Sequence, residues 1–345
     1  MDGERRPLGV ATHPETHMAE LVTEYMGLAL PSPLVLASCA LSNRVENLEM
    51  AEGHGAGAVV LRSLFEEQLE AATSALEEEL LRGAESNPEA RTYFPPQRVG
   101  PHDYLSLVER AKRALEIPVI ASLNCAAPGS WTEYARDIEQ AGADALEVNL
   151  YSVEADPTVS GAEVEARYLQ IVAAVRQAVR IPIAVKLSPF FSSLAHFATR
   201  LDGLGVNGLV LFNRFLQPDI SLERMAALPT MTPSAPSEAL VPLRWIALLH
   251  GRVRAHLAAS TGVYDAPGVL KQILAGAQVV QLASTLMKNG IPHLGKVLAG
   301  IEDWLDRRGV SSLDELRGAL SQREVSDPGA FERAQYVHLI LSQNI

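Results

Sequence analysis

From residue 30 onward the chain alternates short apolar runs with longer stretches in which apolar residues recur every three or four positions. The short runs predict buried strands, and the longer stretches predict helices with one buried face. The predicted strands cover 33–38, 58–61, 119–123, 145–149, 183–187, 208–212, 256–260 and 279–282. The predicted helices cover 44–54, 64–82, 104–115, 131–141, 161–179, 192–204, 241–252, 266–274 and 291–307.

Eight strands that are each followed by a helix favour parallel strands joined by right-handed crossovers. Units of this number and spacing predict an α/β fold, a (β/α)8 TIM barrel with irregular excursions over 83–103 and 215–238 and a C-terminal helical appendage. The alternative is a doubly wound open sheet, but no G-x-G-x-x-G follows the first strand. We expect a flexible N-terminal arm over 1–20, the barrel over 21–308 and the appendage over 309–345.

Composition narrows the class of protein. The chain has 345 residues, of which 48% are hydrophobic, and a net charge of −12, which argues against nucleic acid as a partner. Two cysteines do not make a disulfide framework and favour a reducing, cytoplasmic setting. The polar N-terminus lacks the apolar region of a signal peptide, and no apolar run reaches the roughly 18 residues of a membrane span.

In a barrel of this kind the catalytic groups lie at the carboxyl ends of the strands. In this sequence those ends carry amides, hydroxyls and two cations, without the cluster of His, Cys and carboxylates that a metal site requires. We therefore predict no metal. The candidates are Ala37, Ser38, Cys39, Arg62, Ser63, Asn124, Asn149, Ser152, Lys186, Asn213, Thr261, Gly262, Ala283, Ser284 and Thr285.

Lys186 is the strongest of these candidates because it interrupts an apolar strand, IPIAVKLSP. A lysine there points into the barrel mouth, and buried lysines have a partner or a function. The structural alternative is a pairing with an inner carboxylate such as Glu147. The small-residue loops Ser260-Thr261-Gly262 and Ala283-Ser284-Thr285 suit a phosphate site, although they could equally be tight turns. Asn124 and Asn213 could likewise be structural amides.

Six segments resemble the dihydroorotate dehydrogenase-like flavoproteins, close to the soluble class 1 enzymes. These segments are YMGLALPSPLVLAS, AVVLRS, ADALEVNLYS, IPIAVKLSP, GLVLFNR and AASTGVYDAPGVLKQILAGAQVVQLASTLMKNG. The last is the most specific, because it looks like the double phosphate loop of that family.

The resemblance implies FMN at the barrel mouth and an oxidoreductase that converts dihydroorotate to orotate in pyrimidine biosynthesis. It makes Ser152 the candidate base, at a position that is cysteine in soluble class 1 enzymes and serine in class 2 enzymes, and it places Lys186 against the pyrimidine end of the flavin. Arg62, Asn149 and Asn213 would hold the substrate. The implied cofactor contacts are Ala37, Ser38, Arg62, Ser63, Asn124, Asn149, Lys186, Thr261, Gly262, Ala283, Ser284 and Thr285.

Several residues depart from the family pattern. Glu154 stands where a second asparagine is usual, and Thr261-Gly262 replaces a Gly-Gly pair. Ala283-Ser284 replaces Gly-Thr, and PSAPSEALVPLRW replaces a glycine-rich stretch. A carboxylate at 154 would repel the substrate carboxylate if both were close and dry. Three alternatives follow: an FMN barrel with another substrate, a Schiff-base lyase using Lys186, and a non-catalytic binding barrel.

The expected partners are a small dihydropyrimidine carboxylate and a soluble electron acceptor such as fumarate, with a homodimer possible by resemblance. We expect no nucleic acid and no membrane partner. By the same resemblance, Tyr93–Pro96 in the 83–103 segment would close over the substrate.

Overall fold

The computed structural model describes residues 20–65, 101–125, 131–214, 217–229 and 232–342. The predicted arm, apart from Glu20, and the segment with Tyr93–Pro96 lie outside these residues. Eight parallel strands close into a barrel in the order β4-β3-β13-β12-β9-β8-β7-β6, and β6 pairs with β4. The (β/α)8 prediction is therefore confirmed. The barrel strands are β3 (Leu34–Leu36), β4 (Ala58–Val60), β6 (Val119–Asn124), β7 (Ala145–Asn149), β8 (Ile183–Leu187), β9 (Gly208–Leu211), β12 (His256–Ser260) and β13 (Val279–Leu282).

Helices surround the barrel, and a continuous apolar layer lies between the helices and the strands. They are α1 (Val45–Gly53), α2 (Pro101–Ala114), α3 (Trp131–Gln140), α4 (Gly161–Ala178), α5 (Leu194–Gly203), α6 (Leu240–Leu249), α7 (Ala266–Ala275), α8 (Ser284–Asn289), α9 (His293–Arg308) and α10 (Ala334–Ser342). The start of α4 is fixed by a capping box, in which Ser160 and Glu163 satisfy each other's backbone N–H groups. None of the described helices combines the length and apolarity that a membrane crossing needs.

The interior of the barrel is layered, because side chains of one strand face the same way every second residue. On five strands an apolar residue of the inner cluster is followed two positions later by a polar residue. These pairs are Ile120 and Ser122, Ala145 and Glu147, Ala184 and Lys186, Ala258 and Ser260, and Val279 and Gln281. The lower barrel is thus filled with apolar side chains, and a buried polar layer lies toward the carboxyl ends of the strands.

A hairpin near the N-terminus closes the lower end of the barrel. Strands β1 (Thr23–Tyr25) and β2 (Leu28–Leu30) meet at a two-residue turn, in which Met26 and Gly27 both have positive φ. The Tyr25 hydroxyl packs against Gly208, the first residue of β9. A Cβ added to Gly208 would lie 2.9 Å from the Tyr25 hydroxyl oxygen. The sequence analysis missed this hairpin, because its three-residue strands are too short to show a hydrophobic period.

Three other segments differ from the sequence prediction. Residues 64–65, expected at the start of a helix, form the short strand β5 (Leu64–Phe65), because their backbone pairs with the upper end of β6. The stretch 215–238, expected to be irregular, contains the antiparallel strands β10 (Pro218–Ser221) and β11 (Ala226–Pro229). The prolines of this stretch suggested a loop, but Pro218 and Pro229 lie at the ends of an isolated two-stranded ribbon, where proline is tolerated. Helix α8 was also not predicted.

The chain after α9 packs on the outside of the barrel. It contains short 3-10 turns at Leu313–Glu315 and Pro328–Phe331, followed by α10. Backbone N–H groups of Gly318 and Leu320 donate to the last turn of α7, and that of Gln322 donates to Ala247 of α6.

Candidate active site

A cleft opens at the carboxyl ends of the barrel strands, and we call it the mouth cleft. Its described lining includes two cationic side chains and no carboxylate. Such a wall favours an anionic ligand. The lining residues are Ala37, Ser38, Lys186, Phe212, Asn213, Arg214, Ser234, Ser260, Thr261, Gly262, Val263, Gln281, Ala283 and Ser284.

Lys186 lies at the base of the mouth cleft and is 6% exposed. Its Nζ is 3.3 Å from Oε1 of Glu147 and 3.1 Å from Oε1 of Gln281, across the barrel on β13. The Gln281 amide donates in turn to Oε2 of Glu147 at 2.6 Å. The functional and the structural interpretation of Lys186 are compatible, since it is paired with Glu147 and also lines the mouth cleft. The three groups hydrogen-bond to one another, so the ammonium is held in one position.

Backbone and hydroxyl donors converge where the sequence predicted an anion site. The Gly262 N–H donates to Ser234 Oγ at 3.1 Å, and that hydroxyl donates to Ser284 Oγ at 2.9 Å. Gly262 has a φ of +76°, and a Cβ on it would lie 2.3 Å from the Ala239 nitrogen and 2.9 Å from the Ala235 oxygen. Only glycine fits this position. Sequence reasoning missed Ser234, which lies among prolines and outside any periodic pattern.

Arg214 anchors the loop that carries Ser234. Its Nε donates to Oε2 of Glu238 at 3.1 Å, and its Nη1 donates to the Thr232 carbonyl. Burial alone would raise the pKa of Glu238, but the N–H of Ala235 and the guanidinium of Arg214 outweigh it and lower that pKa. Glu238 therefore stays ionised and paired, and it holds the loop against the cleft.

Two further polar groups lie at neighbouring strand ends. The Ser63 hydroxyl lies 3.1 Å from that of Ser38 and 2.7 Å from that of Ser122. The Asn213 amide donates to Oδ1 of Asn149 at 2.9 Å. Register pairing aligns Asn149 with Asn124 on β6 and with Lys186 on β8. The amides and the lysine thus lie side by side at one edge of the mouth.

Ser152 lies in a second cleft, which we call the side cleft. Lys186 of β8 lines the mouth cleft, and Ser188, two residues further along the chain, lines the side cleft. The Ser152 hydroxyl is 2.5 Å from the hydroxyl of Tyr168 on α4. The described lining is Ser152, Val153, Glu154, Gly161, Val164, Glu165, Tyr168, Ser188, Phe190, Phe191, Ser192 and Gln217.

Glu154, which departs from the family pattern, forms an ion pair with Arg167 of α4. Its Oε2 accepts a hydrogen bond from Nη2 of Arg167 at 2.8 Å. The hydrogen bond from Arg167, followed by that from the Asp156 N–H, lowers the pKa of the Glu154 carboxyl. Its negative charge is therefore balanced by Arg167.

The mouth cleft brings together Ala37, Ser38, Lys186, Asn213, Thr261, Gly262, Ala283 and Ser284 from the predicted set. Arg62, Ser63, Asn124, Asn149, Ser152 and Thr285 are outside its lining. The Thr285 side chain is fully buried and donates to the Tyr264 carbonyl, so its hydroxyl is already used. The sequence analysis missed Gln281. Its position in a barrel strand, two residues after the inward-facing Val279, could have predicted that its side chain also faces the barrel interior.

The chain is a (β/α)8 barrel with a buried lysine and a cleft that favours anions at its mouth. These features are typical of barrel enzymes whose catalytic groups lie at the carboxyl ends of the strands. The family model of dihydroorotate dehydrogenase matches residues 97–305. The chain belongs to this family, and the resemblance found in the sequence is confirmed. It is a dihydroorotate dehydrogenase-like oxidoreductase, and the lyase alternative is not favoured.

Curated relatives cover most of the chain at low identity. The catalytic subunit of dihydroorotate dehydrogenase B (NAD(+)) from Methanothermobacter thermautotrophicus is 26% identical over 86% of this chain and 97% of its own length. The corresponding subunit from Geotalea uraniireducens is 26% identical over 87% of this chain and 98% of its own. A putative dihydroorotate dehydrogenase A (fumarate) from Aeropyrum pernix is 30% identical over 59% of this chain and 67% of its own.

Proposed function

We propose that this protein is an FMN-dependent oxidoreductase that converts dihydroorotate, or a close dihydropyrimidine carboxylate, to the unsaturated ring in pyrimidine biosynthesis. The observation that carries the proposal is Lys186, a buried cation fixed by Glu147 and Gln281 at the mouth of a barrel of this family. An ammonium held there stabilises negative charge on a bound ring at close range.

The donors of the mouth cleft fit FMN. Ser284 Oγ accepts from the Ser234 N–H and hydroxyl, so its own hydrogen is directed away from Ser234 and can be donated to a phosphate. The backbone at Gly262 leaves no room for a side chain beside it. Ala37 and Ser38, which follow the neighbouring strand β3, would line the flavin, with Thr261, Ala283 and Thr285 around the phosphate. When bound, FMN supplies a two-electron acceptor for hydrogen removed from carbon.

The amide pair of Asn149 and Asn213 is the proposed substrate clamp. Each amide carries donors and acceptors that match the N–H and C=O groups of a dihydropyrimidine ring. Arg62 would pair with the substrate carboxylate, and Arg62, Ser63 and Asn124 would contact the cofactor. Ser152, three residues after Asn149, would remove the proton from the ring.

The electron acceptor is proposed to be a soluble one. The relatives' names specify NAD(+) in two cases and fumarate in one. We propose a cytoplasmic location, because the cysteine usage suits a reducing compartment. A homodimer stays a prediction.

The test is the visible spectrum of the purified protein, followed by anaerobic addition of dihydroorotate. Flavin bands that bleach on addition support both cofactor and substrate. Bands that persist overturn the substrate, and a colourless protein that takes up no added FMN overturns the cofactor.

Two variants sharpen this test. Ser152→Ala is expected to keep the flavin bands and to slow bleaching by roughly 100-fold or more, the range for loss of a general base. Ser192→Ala, which changes another serine of the side cleft, is the matched control and should bleach at the parent rate. Equal rates in all three proteins would exclude Ser152 as the base.

A further inference from the structure

Ser152 has a phenolic neighbour on α4 that the sequence did not indicate. Its hydroxyl lies 2.5 Å from that of Tyr168, sixteen residues along the chain on α4. Tyr168 is 5% exposed, and its ring packs at 6.4 Å from the rings of both Phe191 and Phe197. The capping box of Ser160 and Glu163 fixes the start of α4. The phenol is therefore held rigidly beside the serine.

A serine hydroxyl is a poor base by itself. To accept a proton from carbon it must release its own hydrogen to another acceptor at the same time. A cysteine does not have this requirement, because its thiolate forms near a pKa of about 8.5. A chain that carries serine at the base position therefore needs a second proton-carrying group within hydrogen-bond distance.

The charged groups of the side cleft are already paired with other residues. Glu154 accepts from Arg167 at 2.8 Å, and Glu165 lies 4.0 Å from Nη1 of Arg200. The Ser152 hydroxyl is hydrogen-bonded to the Tyr168 hydroxyl instead. A phenol can donate and accept at once, so it can pass a proton on.

We propose that Tyr168 relays the proton that Ser152 removes from the substrate, which makes it a positioning residue for the base. This rests on the proposed function. The C5–H bond breaks and its proton goes to Ser152 Oγ, the Ser152 hydroxyl proton goes to the Tyr168 oxygen, and the Tyr168 proton goes to water in the side cleft. Bound FMN would supply the acceptor for the C6 hydrogen and its electron pair, so that the ring double bond forms and the charges balance.

The experiment compares anaerobic flavin bleaching by dihydroorotate in four proteins: the parent, Tyr168→Phe, Ser152→Cys, and the double variant. Tyr168→Phe is expected to slow bleaching by roughly 10- to 100-fold in the serine protein, since general base assistance contributes this much or more. In the Ser152→Cys protein the same change should cost less than about threefold, because a thiolate needs no relay.

The pH profile separates a relay from a packing role. Bleaching by the Ser152→Cys protein should rise with pH and level off near pH 8.5, with or without Tyr168. Tyr134→Phe, which removes a buried phenol on α3, is the control and should bleach like the parent. Flavin content and thermal midpoint are measured on every variant.

The outcomes distinguish the two proposals. A parent protein whose flavin stays oxidised overturns the substrate assignment and the relay together. A parent that bleaches, with Tyr168→Phe equally harmful in both backgrounds or harmless in both, overturns the relay alone. A loss confined to the serine background supports it.

Discussion

Lys186 and Glu147 form a buried ion pair between neighbouring barrel strands, with Nζ 3.3 Å from Oε1 and both side chains less than a tenth exposed. The charge that the proposed chemistry uses is thus also part of the core. Removing one partner of a buried ion pair leaves an uncompensated charge away from solvent. This lowers the free energy of unfolding more than removing both partners does.

We expect Lys186→Met to lower the free energy of unfolding by about 3–5 kcal/mol. The double variant Glu147→Gln/Lys186→Met should recover at least half of that loss, because no buried charge remains. Urea unfolding of the parent, the two single variants and the double variant measures the coupling. Additive losses would mean that the pair is not desolvated as the structure has it.

Gly262 is expected to reject any side chain. Gly262→Ala forces an L residue to a φ of +76° and drives Cβ into the backbone of the loop that carries Ser234. A left-handed backbone costs about 1–2 kcal/mol and overpacking about 1–3 kcal/mol, so we expect the free energy of unfolding to fall by about 2–5 kcal/mol and the affinity for FMN to fall clearly.

Gly309→Ala is the matched control for this change. Gly309 has a φ of +65° but nothing within 4 Å of its added Cβ. Its variant should show only the backbone cost of about 1–2 kcal/mol and unchanged FMN affinity. Equal losses at the two positions would contradict the close contact at Gly262.

His256 makes closure of the lower barrel sensitive to acid. Its Nδ1 accepts a hydrogen bond from the Met26 N–H at 3.1 Å, which requires a neutral ring nitrogen. Burial chiefly lowers the pKa of His256, opposed by Glu24 and assisted by Arg317. At a pH below about 6.5, the ordinary pKa of histidine, His256 binds a proton in the unfolded hairpin more readily than in the folded one. The stability of the folded hairpin therefore falls as the pH falls.

Hydrogen exchange of the hairpin checks this expectation. The protection factor of the Met26 amide should drop between pH 7.5 and 5.5 in the parent and stay flat in His256→Gln. Global unfolding is not the readout, because burial also lowers the pKa of His250, which packs against Gly276 and Gly318. An unchanged protection factor in the parent would rule out the acid-sensitive contact.

Arg167 is expected to protect substrate binding from Glu154. In Arg167→Gln the Glu154 carboxylate loses its partner near the proposed substrate site, and the KM for dihydroorotate should rise several-fold at low salt. Added salt should reduce the rise, since screening weakens repulsion between partly exposed charges. Glu154→Asn in the same background should restore the parent KM, and a KM that fails to recover would place the effect elsewhere.

The barrel could be predicted from the sequence because parallel strands buried on both sides give short apolar runs of fixed spacing, and Lys186 interrupts one of them. The hairpins at 23–30 and 218–229 could not, since three- and four-residue strands are too short for a reliable period. Ser234 and Tyr168 come to the site through tertiary folding of a proline-rich loop and a helix face. Nothing in their local sequence distinguishes them from solvent-facing residues.

The lower end of the barrel is sealed by residues from opposite ends of the described chain. Nη2 of Arg317 donates to Oγ1 of Thr23 at 2.7 Å, a contact that spans 294 positions. During synthesis the hairpin leaves the ribosome long before its partner does. A nascent chain therefore cannot form this contact until the region after α9 has emerged. Apolar surface that is still incompletely packed during that interval favours chaperone binding and aggregation.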